Sequence, residues 1–347
     1  MTSDTHPTSL PDTHRLHAYL RAHVDGCAAA PQVTRLAGGQ SNPTYLVASG
    51  SQRWVLRAKP PGELLPSAHA IEREYRVIAA LANSDVPVPR AYALCEDPEV
   101  FGTPFYLMAH VDGRILRDPT LPGMAPAERA AMFDELNRVI AALHSVDYAA
   151  LGLADFGRSG NYVERQVARW TRQYRAAETE PIEAADRLID WLPRHIPAGD
   201  ATRIVHGDFR IDNVVFHPTE PRILAVLDWE LSTLGHPLSD FAYHCMAWRT
   251  APPVARGLAG QPLADLGIPL EADYLAAYCR RTGRAAVPPE EWEFHIVFNM
   301  FRLVGILQGI ARRAAQGNAA SADAVATGRR ARPLAEQAWR MAQRIGA

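Results

Sequence analysis

Three oxygen-bearing side chains, Asp208, Asn213 and Asp228, follow short apolar runs and could carry out phosphoryl transfer. Residues 204–213 read IVHGDFRIDN, and the apolar run 223–227 ends directly at Asp228. Phosphoryl transfer needs a carboxylate that orients the attacking hydroxyl and accepts its proton, and it needs hard oxygen ligands for Mg²⁺. Asp208 suits the first role, and Asn213 and Asp228 suit the second. The spacing repeats the kinase pattern H-x-D-x-x-x-x-N followed by a later Asp.

Each of these residues also has a structural explanation, because Asp and Asn are common in turns. That explanation does not account for His206, Asp208, Asn213 and Asp228 occurring together in this order. We therefore expect the three oxygen-bearing side chains to meet around one divalent ion. His206 is predicted to brace the loop as a neutral imidazole bonded to a backbone carbonyl. Asp240 is predicted to tie the loop or a helix end together.

The run WVLRAK, residues 54–59, places two cations on one face of a predicted strand. Side chains alternate along a strand, so Arg57 and Lys59 share a face that excludes Trp54 and Leu56. A kinase needs a cation that holds the α- and β-phosphates of the nucleotide. Either Arg57 or Lys59 could be that cation.

A glutamate on the apolar face of a predicted helix is the expected partner of this cation. The helix spans roughly residues 68–82, and Glu74 lies on the same face as Ile71 and Ile78. A charge on an apolar face needs a partner. We predict that Glu74 pairs with Arg57.

A glycine-rich segment between the first two predicted strands could cover the phosphates. It reads Gly38-Gly39-Gln40-Ser41-Asn42. Glycines allow backbone N–H groups to approach a phosphate closely. We predict that Gly39, Gln40, Ser41 and Asn42 contact the nucleotide.

The elements that must position these residues change character along the chain. Residues 1–12 are predicted to be a disordered tail, residues 13–110 a strand-rich N-lobe and residues 111–347 a mostly helical C-lobe. The predicted strands are Gln32–Leu36, Thr44–Ser49, Arg53–Lys59, Ala91–Glu96 and Phe105–Val111. The predicted C-lobe helices are Ala127–Val146, Tyr162–Ala177, Ile182–Pro193, Leu238–Trp248, Ala272–Thr282, Glu290–Ala315 and Ala320–Ile345.

Composition is that of a globular protein with no bulk charge for binding nucleic acid or a membrane surface. The chain has 347 residues, and 36 Lys plus Arg face 38 Asp plus Glu. Its four cysteines are scattered, which predicts reduced thiols. The polar N-terminus does not resemble a signal peptide, and the apolar run 294–310 is interrupted by Arg302, which favours a buried helix. We expect a cytoplasmic location.

The motifs HGDFRIDN and LDWE resemble those of the aminoglycoside phosphotransferase family, also called the choline/aminoglycoside kinase-like group. The segments GGQSNPTYLV, WVLRAKPPG, AHAIEREYRV and LDWELSTLGHPLSDFAY resemble the kinase-like domain that is fused to some acyl-CoA dehydrogenases. The resemblance covers nearly the whole chain after residue 30. It is specific to the fold and reaction and does not identify the acceptor.

This resemblance implies a two-lobed α+β fold of the protein-kinase type, with ATP or GTP and Mg²⁺ as cofactors. It aligns Arg57 with the cation that holds the phosphates, where protein kinases use Lys. It also places the adenine against the backbone of Met108, Ala109, His110 and Val111.

The acceptor is expected to be the hydroxyl of a small molecule, and the resemblance to dehydrogenase-linked domains suggests a hydroxy acid or hydroxyacyl-CoA. Arg302, Gln308 and Arg312 are candidates for binding an anionic acceptor. An antibiotic kinase of the aminoglycoside type and a non-catalytic domain that binds a nucleotide or acyl ligand are the alternatives.

Two further classes fit less well. The chain lacks the H-R-D and A-P-E motifs of protein kinases. A metal-dependent hydrolase could use His206, His217, His236 and His244 near the acidic residues, but these histidines have no tight ligand spacing.

Overall fold

The chain forms two compact units, each with its own core. The structure, a computed structural model, describes residues 13–36, 42–61, 69–317 and 323–346. The strand-rich unit runs to Asn83, resumes at Val88–Asp112 and includes Asp228–Glu230. The helical unit comprises Ser84–Pro87, Gly113–Leu227 and the chain from Leu231 onward.

The strand-rich unit is built on an antiparallel sheet of five strands in the order β1-β2-β3-β5-β4. Its strands are β1 Gln32–Arg35, β2 Thr44–Ser49, β3 Gln52–Ala58, β4 Ala91–Cys95 and β5 Phe105–Ala109. Its helices are α1 Thr13–His23, α2 Ile71–Leu81 and α3 Pro98–Phe101. The predicted strands are confirmed, with ends that differ by two residues at most. The short helix α3 was not predicted.

Alternation along β3 separates an apolar face from a charged one. Trp54, Leu56 and Ala58 are buried in the cluster that includes Leu16 and Leu20 of α1. Burying a side chain such as Leu56 contributes about 1.5–3 kcal/mol. The apolar face thereby fixes the strand, so that Arg57 points to the opposite side of the sheet.

Helix α2 buries a stripe that contains one charge. Its buried residues are Ile71, Glu74, Val77, Ile78 and Leu81, which recur at helical spacing. Glu74 is only 1% exposed. The predicted periodicity is therefore confirmed.

The helical unit contains nine further helices and two small antiparallel sheets within the described residues. The helices are α4 Pro126–Ser145, α5 Tyr162–Ala177, α6 Glu183–Trp191, α7 Pro237–Cys245, α8 Leu263–Leu266, α9 Glu271–Arg281, α10 Pro289–Ala315, α11 Ala324–Gly328 and α12 Ala331–Arg344. The strands are β6 Arg203–Val205, β7 Val214–Phe216, β8 Ile223–Val226 and β9 Thr233–Gly235. Strand β6 pairs with β9, and β7 pairs with β8.

Helix α10 is the core of this unit. It packs against α5, α7, α11 and α12. By length and composition it is the one candidate membrane span in the part of the chain that the structure describes, and 72% of its most apolar window is buried. The burial is that of a core helix, as its sequence predicts.

The predicted single helix over 320–345 is wrong. The chain forms α11 and α12 instead, with a turn at Arg329 and Arg330. Pro333 lies in the first turn of α12, where its missing N–H costs no hydrogen bond, and it would break a continuous helix. At Gly328 a Cβ would lie 2.6 Å from the Cβ of Ala311, so α11 approaches α10 more closely than a side chain would allow.

All four cysteines, Cys27, Cys95, Cys245 and Cys279, are buried free thiols. This agrees with the prediction from their scattered positions.

Candidate active site

The segment after β6 is a tight loop whose backbone requires a glycine. Gly207 has φ +82°, and a Cβ there would lie 2.8 Å from the carbonyl oxygen of Leu231. A larger residue would therefore push Asp208 away from its position. The glycine between His206 and Asp208 is therefore required by the backbone conformation of the loop.

Asp240, in the first turn of α7, binds the backbone of this loop through its carboxylate. Its Oδ2 accepts the backbone N–H of His206 at 2.7 Å, and its Oδ1 accepts that of Gly207 at 2.8 Å. His144 Nε2 lies 3.1 Å from Oδ2. Burial alone would raise the pKa of Asp240, but the hydrogen bond from His144 and the nearby imidazoles lower it below its ordinary value. The predicted structural role of Asp240 is confirmed.

His206 connects the loop to the strand that precedes Asp228. Its Nδ1 accepts the backbone N–H of Asp208 at 3.2 Å, so Nε2 carries the proton and donates to the carbonyl of Leu227 at 2.9 Å. This is the neutral imidazole bonded to a backbone carbonyl that the sequence predicts.

The Asp208 carboxylate is surrounded by hydrogen-bond donors. Tyr243 donates its hydroxyl to Oδ1 at 2.6 Å, and Asn213 Nδ2 donates to Oδ2 at 2.9 Å. Arg210 donates from Nε to Oδ1 at 3.0 Å and from Nη2 to Oδ2 at 3.2 Å. Burial and then the charge of Asp208 raise the pKa of Tyr243, so its hydroxyl remains a donor. Asp208 is therefore held as an oriented carboxylate.

Arg302 of α10 also stabilises the loop that carries Asp208. It is buried, its Nη2 donates to the carbonyl of Gly207 at 2.6 Å, and its guanidinium lies 4.6 Å from the ring centre of Tyr243. The guanidinium of Arg302 is therefore bonded to the Asp208 loop.

The remaining two acceptor candidates on α10 also have internal partners. Gln308 accepts from Thr179, and Arg312 donates to the carbonyl of Ala176. None of the three candidates lines the cavity beside Asp208 described below. Binding of an acceptor by these three residues stays a prediction.

Asn213 has the geometry of a cation ligand. Its amide nitrogen donates to the backbone carbonyl and to the carboxylate of Asp208, so the amide oxygen is the atom that remains for a metal ion. A neutral oxygen of this kind suits Mg²⁺. The backbone of Asn213 is also fixed, because its carbonyl accepts the N–H of Leu227 at 2.8 Å.

Asp228 has a backbone conformation that non-glycine residues rarely adopt. Its φ is +65°, and it follows directly after the segment whose Leu227 is bonded to Asn213 and His206. Such strain is concentrated at functional sites. Asp208 and Asn213 belong to the helical unit and Asp228 to the strand-rich unit. Whether the three share one ion therefore stays a prediction.

A histidine-rich metal centre finds no support in the described ranges. No group of three or more His, Cys, Asp or Glu side chains there could hold a metal ion. His244 bonds Tyr274, and burial lowers the pKa of His236 and of His244 to about 4 in each case. These imidazoles are parts of the core.

In the strand-rich unit, Arg57 is the centre of a carboxylate cluster. Its Nε lies 2.8 Å from Oε2 of Glu74, and its Nη2 lies 2.9 Å from Oδ1 of Asp228 and 3.0 Å from Oε2 of Glu230. The predicted Arg57–Glu74 pair is present. Lys59, the alternative cation, pairs with Glu72 at 3.0 Å.

Glu74 is a buried carboxyl with three partners. Besides Arg57 it accepts from Tyr106 at 3.1 Å and from Asn42 at 2.7 Å. Burial raises the pKa of Glu74 to about 7, although Arg57 acts to lower it. Burial would also lower the pKa of Arg57, but Glu74 and the other negative groups raise it above its ordinary value. Arg57 is therefore a permanent cation in a fixed orientation.

The glycine-rich segment is described only at Asn42. Gly39, Gln40 and Ser41 lie outside the described residues. The Asn42 side chain is buried and bonded to Glu74 and to His69, at 2.9 Å from His69 Nδ1. Contact of this segment with phosphate stays a prediction.

The proposed adenine-binding segment follows the end of β5. Met108 pairs with Val55 of β3, and the N–H of Ala109 donates to the carbonyl of Arg90. His110 and Val111 follow as irregular backbone. Adenine binding at Met108–Val111 stays a prediction.

A cavity of about 320 Å³ lies within the helical unit beside the Asp208 loop. Arg210 and Tyr243, two of the donors to Asp208, form part of its wall. Its apolar walls include Phe133, Leu136, Trp248, Val254, Leu303 and Leu307. Its charged lining consists of Arg117, Arg210, Asp212, Arg256 and Arg330.

The cavity carries an excess of positive charge. Arg210 pairs with Asp208 and with Asp212, at 3.3 Å from Asp212. Over the ranges that the structure describes, Arg117 and Arg256 have no carboxylate within ion-pair distance. The cavity therefore suits a ligand that combines an apolar body with negative charge.

Sequence reasoning missed Tyr243, Arg210, Glu230, Arg117 and Arg256. Arg210 and Glu230 each stand two residues from a predicted functional aspartate, and that proximity was the available signal. Tyr243 lies three residues after Asp240 on α7, which places it on the same side of the helix. Arg117 and Arg256 lie in loops, and nothing in their local sequence marks them.

Comparisons with known proteins show the family and the fold of this chain. The phosphotransferase enzyme family model matches residues 32–290. A candidate aminoglycoside phosphotransferase of Ralstonia eutropha JMP134 is 56% identical, with a TM-score of 0.89 over 96% of this chain and 99% of that one. Mouse acyl-CoA dehydrogenase family member 10 is 47% identical over 95% of this chain, which spans 31% of that relative's length.

A more distant structure shares the fold. It is a thermostable mutant of the aminoglycoside phosphotransferase APH(4)-Ia in complex with ADP and hygromycin B. It is 17% identical, with a TM-score of 0.58 over 88% of this chain and 94% of that one. The two-lobed α+β fold is thus of the protein-kinase-like type, and the chain belongs to the phosphotransferase enzyme family.

Proposed function

We propose that this protein transfers the γ-phosphoryl group of ATP or GTP, with Mg²⁺, to the hydroxyl of a small anionic molecule. The acceptor class is a hydroxy acid or a hydroxyacyl-CoA. The observation that carries this proposal is the cavity whose walls include both Arg210 and Tyr243, the donors that hold Asp208.

Asp208 is the proposed general base. Its loop is fixed by Asp240, His206 and Arg302, so the carboxylate itself does not have to move when an acceptor hydroxyl arrives. The hydroxyl proton passes to Asp208 as the acceptor oxygen attacks. Tyr243 keeps the carboxylate oriented while this charge changes.

Arg57, Asn213 and Asp228 are the proposed ligands of the nucleotide and its metal ion. Arg57 is held through Nε and Nη2, which leaves Nη1 for a phosphate oxygen. Asn213 and Asp228 supply the neutral and anionic oxygens that Mg²⁺ prefers. When bound, Mg²⁺ neutralises the charge that the phosphates carry.

The charge of the cavity supports an anionic acceptor over an aminoglycoside. Aminoglycosides are polycations, and Arg117 and Arg256 would repel them. At 4 Å such a repulsion amounts to about 1 kcal/mol in water and about 4 kcal/mol near a protein surface. The similarity to acyl-CoA dehydrogenase family member 10 also favours an acyl acceptor.

A panel of acceptors tests this proposal. ADP release would be measured with Mg²⁺-ATP and three classes of compound: hydroxy acids, hydroxyacyl-CoAs and aminoglycosides. We expect turnover with the first two classes. Turnover with aminoglycosides alone would overturn the acceptor class, and nucleotide binding without any transfer would favour the non-catalytic alternative.

A further inference from the structure

The hydrogen bonds to Asp208 occupy the positions that a general base needs for the hydroxyl of its substrate. A carboxylate offers about four lone-pair positions. Tyr243, Asn213 and Arg210 together make four donor contacts with it, between 2.6 and 3.2 Å. A hydroxyl that is to give its proton to Asp208 must come within about 3.2 Å, so one of these donors has to leave.

Arg210 is the donor best able to move. Tyr243 is 8% exposed and lies under the guanidinium of Arg302, and Asn213 is also tied to the Asp208 carbonyl. The Arg210 side chain, by contrast, is 46% exposed, and its other partner is the partly exposed carboxylate of Asp212.

The cavity offers Arg210 an alternative partner when an anionic acceptor is bound. Arg210 and Asp212 both line the cavity, together with Arg117, Arg256 and Arg330. A carboxylate or phosphate group drawn in by these arginines can replace Asp208 as the partner of Arg210. The guanidinium then exchanges one anion for another and is never left without a partner.

We propose that Arg210 is a positioning residue that covers Asp208 until the negative group of the acceptor draws it away. An acceptor without such a group leaves Asp208 covered and is a poor substrate. This inference rests on the proposed function and adds a device that couples acceptor charge to exposure of the base.

The test uses an Arg210→Gln variant and a matched pair of acceptors, 6-hydroxyhexanoate and 1,6-hexanediol, which differ in the carboxylate. ADP release from Mg²⁺-ATP is measured with each acceptor and with none. In the wild type we expect kcat/KM to favour the hydroxy acid by about tenfold or more. In the variant we expect ADP release without an acceptor to rise about tenfold, because water reaches Asp208, and the preference to fall below about threefold.

Two further variants keep the result interpretable. Arg210→Lys retains the charge but loses the two-point contact, and we expect a smaller rise in acceptor-free ADP release. Arg222→Gln makes the same change at an exposed arginine that pairs with Glu220 outside the cavity, and we expect wild-type values.

The possible failures are distinguishable. An active wild type whose acceptor-free ADP release does not rise in either Arg210 variant would overturn the covering role and leave the kinase proposal standing. A wild type that prefers the diol would do the same. Absence of ADP release in every protein under every condition would overturn both proposals.

Discussion

Replacing Asp240 by Asn should weaken the hydrogen bonds that anchor the Asp208 loop to α7. The Asp240 carboxylate is 4% exposed and accepts hydrogen bonds from His206 N–H, Gly207 N–H and His144. An Asn has one oxygen in place of two, so one backbone N–H is left facing an NH₂ group. A buried donor without an acceptor costs about 1–3 kcal/mol, and the two remaining bonds lose their charge assistance. We therefore expect a loss of about 2–4 kcal/mol in the free energy of unfolding.

Urea unfolding followed by circular dichroism measures this loss. The variant should also lose turnover at temperatures where it remains folded, because Gly207 and Asp208 are adjacent in the same loop. Asp265→Asn is the matched control: Asp265 is exposed on α8, and its change should stay within about 0.5 kcal/mol. A change of less than 0.5 kcal/mol for Asp240→Asn would refute the anchoring role.

Two other outcomes follow from buried ionisable groups. The pKa of His236 is lowered to about 4 in the folded protein, so its contribution to stability is complete above pH 6.5 and is lost as the pH falls toward 4. When the pH falls from 7.5 to 5, the free energy of unfolding should decrease by about 2 kcal/mol less in His236→Asn than in the wild type. Urea titration at each pH measures this difference, and equal pH dependences of the two proteins would contradict the prediction. Glu74→Gln has one acceptor oxygen in place of two for Tyr106 and Asn42, and it removes the most buried carboxylate from Arg57. We expect KM for the nucleotide to rise about tenfold or more, and an unchanged KM in initial-rate measurements would contradict the role of the Arg57–Glu74 pair.

Local sequence patterns predicted the parts of the site that depend on a single element. Alternation along β3 placed Arg57 opposite Trp54 and Leu56, and helical spacing placed Glu74 on the buried face of α2. The spacing within the HGDFRIDN loop identified Asp208 and Asn213, and their contact at 2.9 Å follows from the short 3-10 turn at Ile211–Asn213. Each of these inferences spans only a few residues.

Features that depend on packing between distant segments could not be predicted in this way. Helix α10 is apolar on almost every side, so periodicity does not indicate which face Arg302 occupies, and its contact with Gly207 joins positions 95 residues apart. Arg117 and Arg256 line one cavity because loops far apart in sequence meet there. The break between α11 and α12 was predictable, since Pro333 stands inside the run that was interpreted as one helix.

The most direct test of the account is Asp208→Asn, measured for both turnover and nucleotide affinity. The substitution preserves size and removes the proton acceptor, and general-base catalysis contributes about 10²–10⁴-fold. We predict that kcat falls by about this factor, while the Kd for Mg²⁺-ATP stays within about threefold of the wild-type value. A variant with near wild-type kcat would contradict the assignment of Asp208 as the base on which the proposed phosphoryl transfer depends.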